Sequence, residues 1–368
     1  MSIELQFPEG PKKRHGSACP QAAAGVKAAT GAKAGTGKFD RRALLVGGGA
    51  ALAGWLAYPH VRAALAGRSA VFLARNQRYD GPLAQTIRDG LLATGFEPES
   101  VFNKRVLLKP NLVEPTRRSP QMTTHPAVIV AAGEVFRGWG AQVIVGEGPG
   151  HVRDTEMALI ESGVQDALDG ARLEFADLNY EQVGWLRNRG RASRLAGFYF
   201  PQHVIEADLI VSLPKMKTHH WVGYTGALKN LYGTIPGIKY GWPKNVLHHA
   251  GIPETVYDIN ASLPKSIAIV DGIVAMEGDG PIMGSPKAMG LLAVGTNPTA
   301  VDATLCRIMG LDPTRMNYMR FAADSLGPVN DDAIDQRGEA WRPLVNPFQV
   351  LDKPHLQELR LPPGALVS

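Results

Sequence analysis

The feature that most constrains the fold is an alternation running from Ala70 onward: a short apolar run, a polar or glycine-rich break, then a stretch with helical spacing. The runs are VFLAR, RVLLKP, AQVIVGE, ADLIVSL, SIAIVDG and GLLAVGT. Between them lie PLAQTIRDGLLATG, PAVIVAAGEVFRGWG and TEMALIESGVQDAL. Apolar cores this short suit buried strands better than helices. The order predicts an α/β fold, a mostly parallel sheet with helices on both faces, built as one core or as two lobes. The α/β domain is expected over residues 70–350, followed by a C-terminal tail at 351–368.

The segments after the strands carry the chemistry. The last five strands are succeeded by KPNLVEPTRR, GEGPGHVRD, PKMKTHHWVGYTGALKN, DGIVAMEGDGP and GTNPTAVD. Open α/β sheets bind ligands outside the carboxyl ends of their strands, so all five segments are expected to converge on one site. The stretch at 214–241 is the densest, with four lysines, two adjacent histidines and five glycines. Its expected role is to wrap backbone amides and one lysine, Lys229, around an anion. Gly223 and Gly226 would let the backbone approach the ligand, and Lys215, Lys217, Lys239 and Lys244 would act as longer-range steering charges.

Each cluster also has a plainer reading. Lys109-Pro110-Asn111 fits simple turn chemistry. GEGPGH lacks the spacing of a dinucleotide fingerprint, and GYTGALKN lacks that of a P-loop. Asp271, Glu277 and Asp279 suit either a metal-binding loop or a solvated turn. The histidines are harder to dismiss, because seven of the ten fall between residues 125 and 249. Imidazole serves both proton transfer near neutral pH and metal ligation.

Composition narrows the classes. Residues 1–66 carry 9 of the 39 Lys and Arg but 3 of the 34 Asp and Glu, which leaves 30 basic against 31 acidic groups in the rest. The folded part is close to neutral, so no nucleic-acid partner is expected. Two cysteines, Cys19 and Cys306, exclude a cysteine-ligated iron–sulfur cluster and a four-cysteine zinc site within this chain. Residues 1–38 read as a disordered basic arm. Arg41 and Arg42 then precede a glycine-broken apolar segment and a small-residue cleavage site at Ala64-Leu65-Ala66, the layout of a twin-arginine export signal. This predicts passage through the twin-arginine machinery to a periplasmic or other extracytoplasmic location, with no stable membrane span after cleavage. An uncleaved signal anchoring the protein to the membrane is the alternative.

VLLKPNL, ADLIVSLPKMKTHHWVGYTGALKNLYGTIPG and DGIVAMEGDGP resemble the family known as domain of unknown function 362 over residues 106–311, with several motifs in the right order. A more distant resemblance is to the lactate racemases, which hold a nickel-pincer nucleotide on a lysine. His219, Gly223, Tyr224, Thr225, Gly226, Lys229 and Pro236-Gly237-Ile238 occur in that family's order. GHVRDTE is similar to its Gly-Thr-His-Arg loop. The resemblance implies His151 and His219, or less closely His220, as a catalytic pair and His248 or His249 as a metal-side ligand. Ala227 departs from the family's Gly-Gly pair, and YGT lengthens the path to Pro236.

Three functions are expected. The first is a cofactor- or metal-dependent enzyme acting on a small anionic substrate by proton or hydride transfer, in the manner of a racemase. It would use His151, His219 and Lys229 as catalytic groups, with Lys109, Asn111, Arg153, Gly223, Gly226 and Lys229 binding the cofactor. A metal ion on His248, His249, Asp271 or Glu277 is expected, and a nickel-pincer nucleotide is a candidate cofactor. The second is a divalent-metal hydrolase or phosphoryl-handling enzyme using Asp271, Glu277, Asp279 or His248. The third is a non-catalytic exported protein that binds a metal or a ligand. Replacing Arg41 and Arg42 with lysine is expected to trap precursor in the cytoplasm, and unaltered export on fractionation would exclude the twin-arginine assignment.

Overall fold

Each apolar run forms a strand because both of its faces find a hydrophobic layer. The computed structural model describes residues 68–362 except 114–115, 151–152 and 324, together with Gly364. The leader, with Cys19 and the arginine pair, lies outside the described residues. Strands β1 to β12 are Ser69–Ala74, Arg105–Pro110, Gln142–Glu147, Glu174–Asp177, Val183–Arg187, Gly197–Pro201, Leu209–Leu213, Lys215–His219, Gly223–Thr225, Ser266–Glu277, Ser285–Gly295 and Ile334–Gly338. Helices α1 to α4 are Leu83–Ala93, Pro126–Gly138, Thr155–Ser162 and Val164–Ala171; α5 to α8 are Gln202–Glu206, Ala227–Asn230, Gly237–Tyr240 and Asn245–His249; α9 to α12 are Ile252–Ser262, Pro298–Ile308, Asn317–Ala323 and Pro354–Gln357.

The main sheet runs β12-β1-β11-β10-β7-β2-β3-β4, with β8 paired to β10 and β9 to β8. From β10 to β4 every neighbour is parallel. β11 is antiparallel to both β10 and β1. Along β2, β7 and β10 successive residues alternate between two cores. Val106, Leu108, Val211 and Ile269 join α1, α2 and α4 on one face, whereas Leu107, Ile210, Ala268 and Val270 join α9 to α11 on the other. The described residues belong to one compact unit spanning Val61–Ser368 rather than two lobes. No helix among them is long and apolar enough to cross a membrane.

Local sequence sets the boundaries. Pro126 occupies the first turn of α2, and the His125 Nδ1 accepts the Ala127 N–H at 3.2 Å as its cap. TEMALIESGVQDAL, expected as one helix, is two: Gly163 adopts φ 77°, a left-handed position that ends α3 and starts α4. The stretch expected as a C-terminal tail is packed as far as it is described. Leu356 and Leu359 are buried in the second core, and the Leu361 N–H reaches the Gly310 carbonyl at 2.9 Å.

One expectation about the sheet is corrected. Because β11 is antiparallel, its carboxyl end and the GTNPTAVD segment after it lie at the edge of the sheet opposite the carboxyl ends of β2, β3, β7 and β10. Four segments converge, not five.

Asp271 stands inside β10 with no exposure, as does Lys215 beside it, and the two pair at 2.5 Å. The Asp271 carboxylate also accepts from the Tyr79 hydroxyl at 3.1 Å and the His125 N–H at 3.0 Å. Breaking such a pair leaves an uncompensated buried charge. Asp271→Ala is therefore expected to cost about 3–5 kcal/mol, read by urea unfolding. The double change Lys215→Met, Asp271→Leu is expected to cost less than the single one. A single variant as stable as the parent would refute the structural role.

Candidate functional site

Where the parallel strands end, a cavity of about 450 Å³ opens, lined by residues from all four carboxyl-terminal segments. Lys109 and Asn111 come from the end of β2, Glu147 and Gly148 from β3, Lys217 and His219 from β8, and Asp279 and Pro281 from beyond β10. Thr225, Lys229, Asn230 and Tyr232 form one wall, and Lys244 and His248 come from the loop and helix after it. Four lysines thus share one small space.

Three of the four are latched to the protein. The Lys109 ammonium pairs with Glu147 at 2.6 Å and donates to the Pro110 carbonyl at 2.7 Å. Glu147 also accepts from the Leu112 and Gly148 amides. Lys217 donates to the carbonyls of Met122 and Pro281 at 2.8 and 3.2 Å. Lys244 donates to Gly148 O at 3.0 Å and, more loosely, to Tyr232 O and Gly233 O. Lys215, Lys217 and Lys244 are buried, which corrects their reading as exposed steering charges. Lys239 is exposed.

Lys229 differs. Its ammonium lies 4.0 Å from the centre of the Tyr232 ring, a cation–π contact, and makes no hydrogen bond among the described residues. Burial, with the charge of Lys109 as a second cause, brings its pKa down to about 8. Burial likewise lowers Lys244 to about 7. The side-chain oxygens of Asn111, Thr225 and Asn230, all three lining the cavity, also lack a hydrogen-bond partner. Buried polar atoms are ordinarily satisfied, so three unpartnered oxygens on cavity-lining residues, beside a half-buried ammonium without a hydrogen bond, make this cavity the candidate ligand site.

The amides expected to hold that ligand are already engaged. Asp302, fully buried within α10, accepts from Ala227 N at 2.7 Å, Leu228 N at 2.9 Å and the Tyr224 hydroxyl at 3.2 Å. Burial raises its pKa to about 7 against the lowering effect of those bonds. A Cβ on Gly226 would overlap Asp302 Oδ1 and the Tyr224 ring, and one on Gly223, at φ 84°, would overlap Leu359. Both glycines serve internal packing rather than ligand approach, and neither lines the cavity. Asn230 completes the anchorage by donating to Lys109 O and Ser212 Oγ, which pins α6 to β2 and β7. Lys229 therefore projects from a rigid support.

His219 is buried, and burial, together with the charge of Lys229, holds its pKa well below the usual imidazole value. Its Nδ1 accepts the Trp221 N–H at 3.1 Å. The neutral ring then carries its proton on Nε2. In this state His219 offers a hydrogen-bond donor through Nε2.

Of the remaining expected residues, His248 lines the cavity and His249 is exposed and does not. His151 lies outside the described residues. Arg153 sits beside Trp242, its guanidinium 5.5 Å from the ring, away from the cavity lining. Asp271 is taken by Lys215, and Glu277 by Lys287 at 2.8 Å. His248, His249, Asp271 and Glu277 thus form no ligand set, and no group of three His, Cys, Asp or Glu among the described residues is placed to hold a metal ion. Glu147, Trp221, Asn230 and Tyr232 went unread in the sequence. The lysine wall had a visible signal, since KMKTH alternates its long polar side chains with a period of two, as a strand does.

The family described as domain of unknown function (DUF362) matches residues 106–307. A thylakoid-associated protein of Synechocystis sp. is 31% identical over 299 residues, which cover 79% of this chain and 89% of that protein. Among solved structures, the lactate racemase apoprotein from Thermoanaerobacterium thermosaccharolyticum is similar with a TM-score of 0.40 and 14% identity, covering 67% of this chain and 57% of the racemase. The match thus spans little more than half of that enzyme's length.

Gly226→Ala tests the packing assignment. Crowding Asp302 and Tyr224 is expected to cost about 1–3 kcal/mol of stability, measured by thermal or urea unfolding. A fully stable variant with impaired ligand binding would restore the ligand-approach reading.

Proposed function

We propose that this chain, which belongs to the family described as domain of unknown function (DUF362), binds a small organic anion in the cavity and acts on it by proton transfer. The observation that carries this reading is the contrast among the four lysines: three are bound to carbonyls or a carboxylate, and Lys229 has no hydrogen-bonding partner among the described residues. A hydroxy acid matches the wall. Its carboxylate accepts from Lys229 and the Thr225 hydroxyl, and its own hydroxyl donates to one of the two amide oxygens, that of Asn111 or that of Asn230.

The same groups suit proton exchange. An amine titrating near 8 is split between base and acid close to neutral pH, and the His219 Nε2–H supplies a neutral donor to an oxyanion. In this racemase-like reading the neutral form of Lys229 takes the role of base, and its ammonium form is the one that anchors the carboxylate before and after the transfer, while His219 stabilises developing charge. Among the described residues no group placed to hold a metal comes together, and no step is assigned to one. We place the activity outside the cytoplasm, on the twin-arginine layout of residues 41–66. The thylakoid association of the Synechocystis relative supports a membrane-associated or extracytoplasmic setting.

Titration calorimetry with lactate and with inorganic phosphate tests the binding. Lys229→Ala is expected to weaken affinity about 10- to 100-fold, the value of one hydrogen bond to a charged group, with the melting transition kept. Exposed Lys239→Ala is expected to change it little. Lys229 is cationic below its pKa, so affinity is expected to fall as pH rises through and beyond about 8. Equal losses in both variants, or unfolding of the Lys229 variant, would refute the site. Deuterium uptake from D2O at the carbon bearing the hydroxyl tests the proton transfer, and binding without exchange would leave a ligand-binding protein.

A further inference from the structure

Lys229 has the surroundings of a nucleophile as well as those of an anion anchor. The nitrogens of Lys109 and Lys217 are each held by a carboxylate or by carbonyls. The Lys229 nitrogen is instead flanked by the Tyr232 ring face on one side and open to the cavity on the other. It stands on α6, which Asp302 and Asn230 hold in place, so its position is set before any ligand arrives. The neighbouring lysines attract a carboxylate into the same space. Amines desolvated beside other cations are the ones that attack carbonyl carbons.

Resting on the reading of the cavity as an anion site, we propose that Lys229 Nζ condenses with the carbonyl carbon of a small oxo acid to form an imine. The neutral amine adds its lone pair to the carbonyl carbon, the C=O π electrons move to oxygen, and the proton lost from nitrogen is taken up there, giving a carbinolamine. The hydroxyl then leaves as water, taking a proton from solvent in the open cavity, while the nitrogen lone pair closes the C=N bond, and the iminium so formed returns its N–H proton to solvent to leave the imine. Amine and carbonyl are exchanged for imine and water, and no oxidant or reductant takes part. The carboxylate of the oxo acid remains free to accept an N–H from Lys217 or Lys244, both of which line the cavity.

The test is reductive trapping. The purified full chain is incubated with pyruvate at pH 8, treated with sodium borohydride, digested, and mapped by mass spectrometry for N-(1-carboxyethyl)lysine. At that pH an amine of pKa about 8 is half neutral, against about one part in 250 for an ordinary lysine, so labelling of Lys229 on the order of 100-fold above exposed lysines is expected. Excess lactate is expected to suppress it. Lys229→Arg keeps the charge but cannot form the imine, so it is expected to retain pyruvate binding by calorimetry and lose the adduct. Label spread evenly over exposed lysines, or undiminished in Lys229→Arg, would overturn the proposal. If pyruvate binds the parent and no adduct forms at Lys229, the imine falls and the anion site stands. If pyruvate and lactate both fail to bind, both readings fall.

Discussion

The ion pair between Lys109 and Glu147 is the contact on which the cavity depends. Taking both ions out of water costs several kcal/mol each, and their attraction offsets this only when their remaining hydrogen-bonding capacity is filled. Here the backbone fills it. Lys109 gives its second bond to Pro110 O, while Glu147 accepts from Leu112 and Gly148. The bonds tie together the ends of two adjacent parallel strands at the point where each begins its loop. Gly233 lies against both side chains, where a Cβ would be crowded by Lys109 and Glu147 together.

The same logic recurs on the other side of the cavity. The amides that begin α6 would attract an anion in most settings, and the protein supplies one of its own in Asp302. Lys217 and Lys244, which have no nearby carboxylate bonded to them, are met by loop carbonyls. Nearly every strong donor and acceptor in the region is thus satisfied from within. Lys229 and the three unpartnered oxygens stand out because their surroundings are so fully matched.

The strands were legible because a run such as LIVSL, buried along its whole length, can be little else. The direction of β11 was not, since an apolar run has the same composition whichever way it points. The information lay in the connection: residues 278–284 are too few for the crossover that a parallel partner needs, and they permit a hairpin. At the site, Lys109, Asn111, His219 and Lys229 were legible from their place after strand ends, and that rule works wherever the strand is parallel, whereas His248 came from the resemblance to the lactate racemases. Asp271 misled because a carboxylate at a strand end looks alike whether it faces a ligand or a lysine, and Lys215 is 56 positions away. The role of His219 was hidden for a different reason. Which ring nitrogen carries the proton depends on the Trp221 amide, and that is a matter of three-dimensional geometry alone.

The placement of β1 bears on how the chain reaches this structure. It is inserted between β11 and β12, with Val71 opposite both Gly295 and Gln336. The first strand among the described residues therefore has no sheet partner until β11 has been made, while the parallel block from β2 to β10 can assemble behind it. Closing contacts so distant in sequence is slow, and until then an apolar strand with unpaired edges is exposed to solvent and to other chains. In this topology the sheet closes last at β1, and until it does the two edges of that strand are open to pairing with other chains.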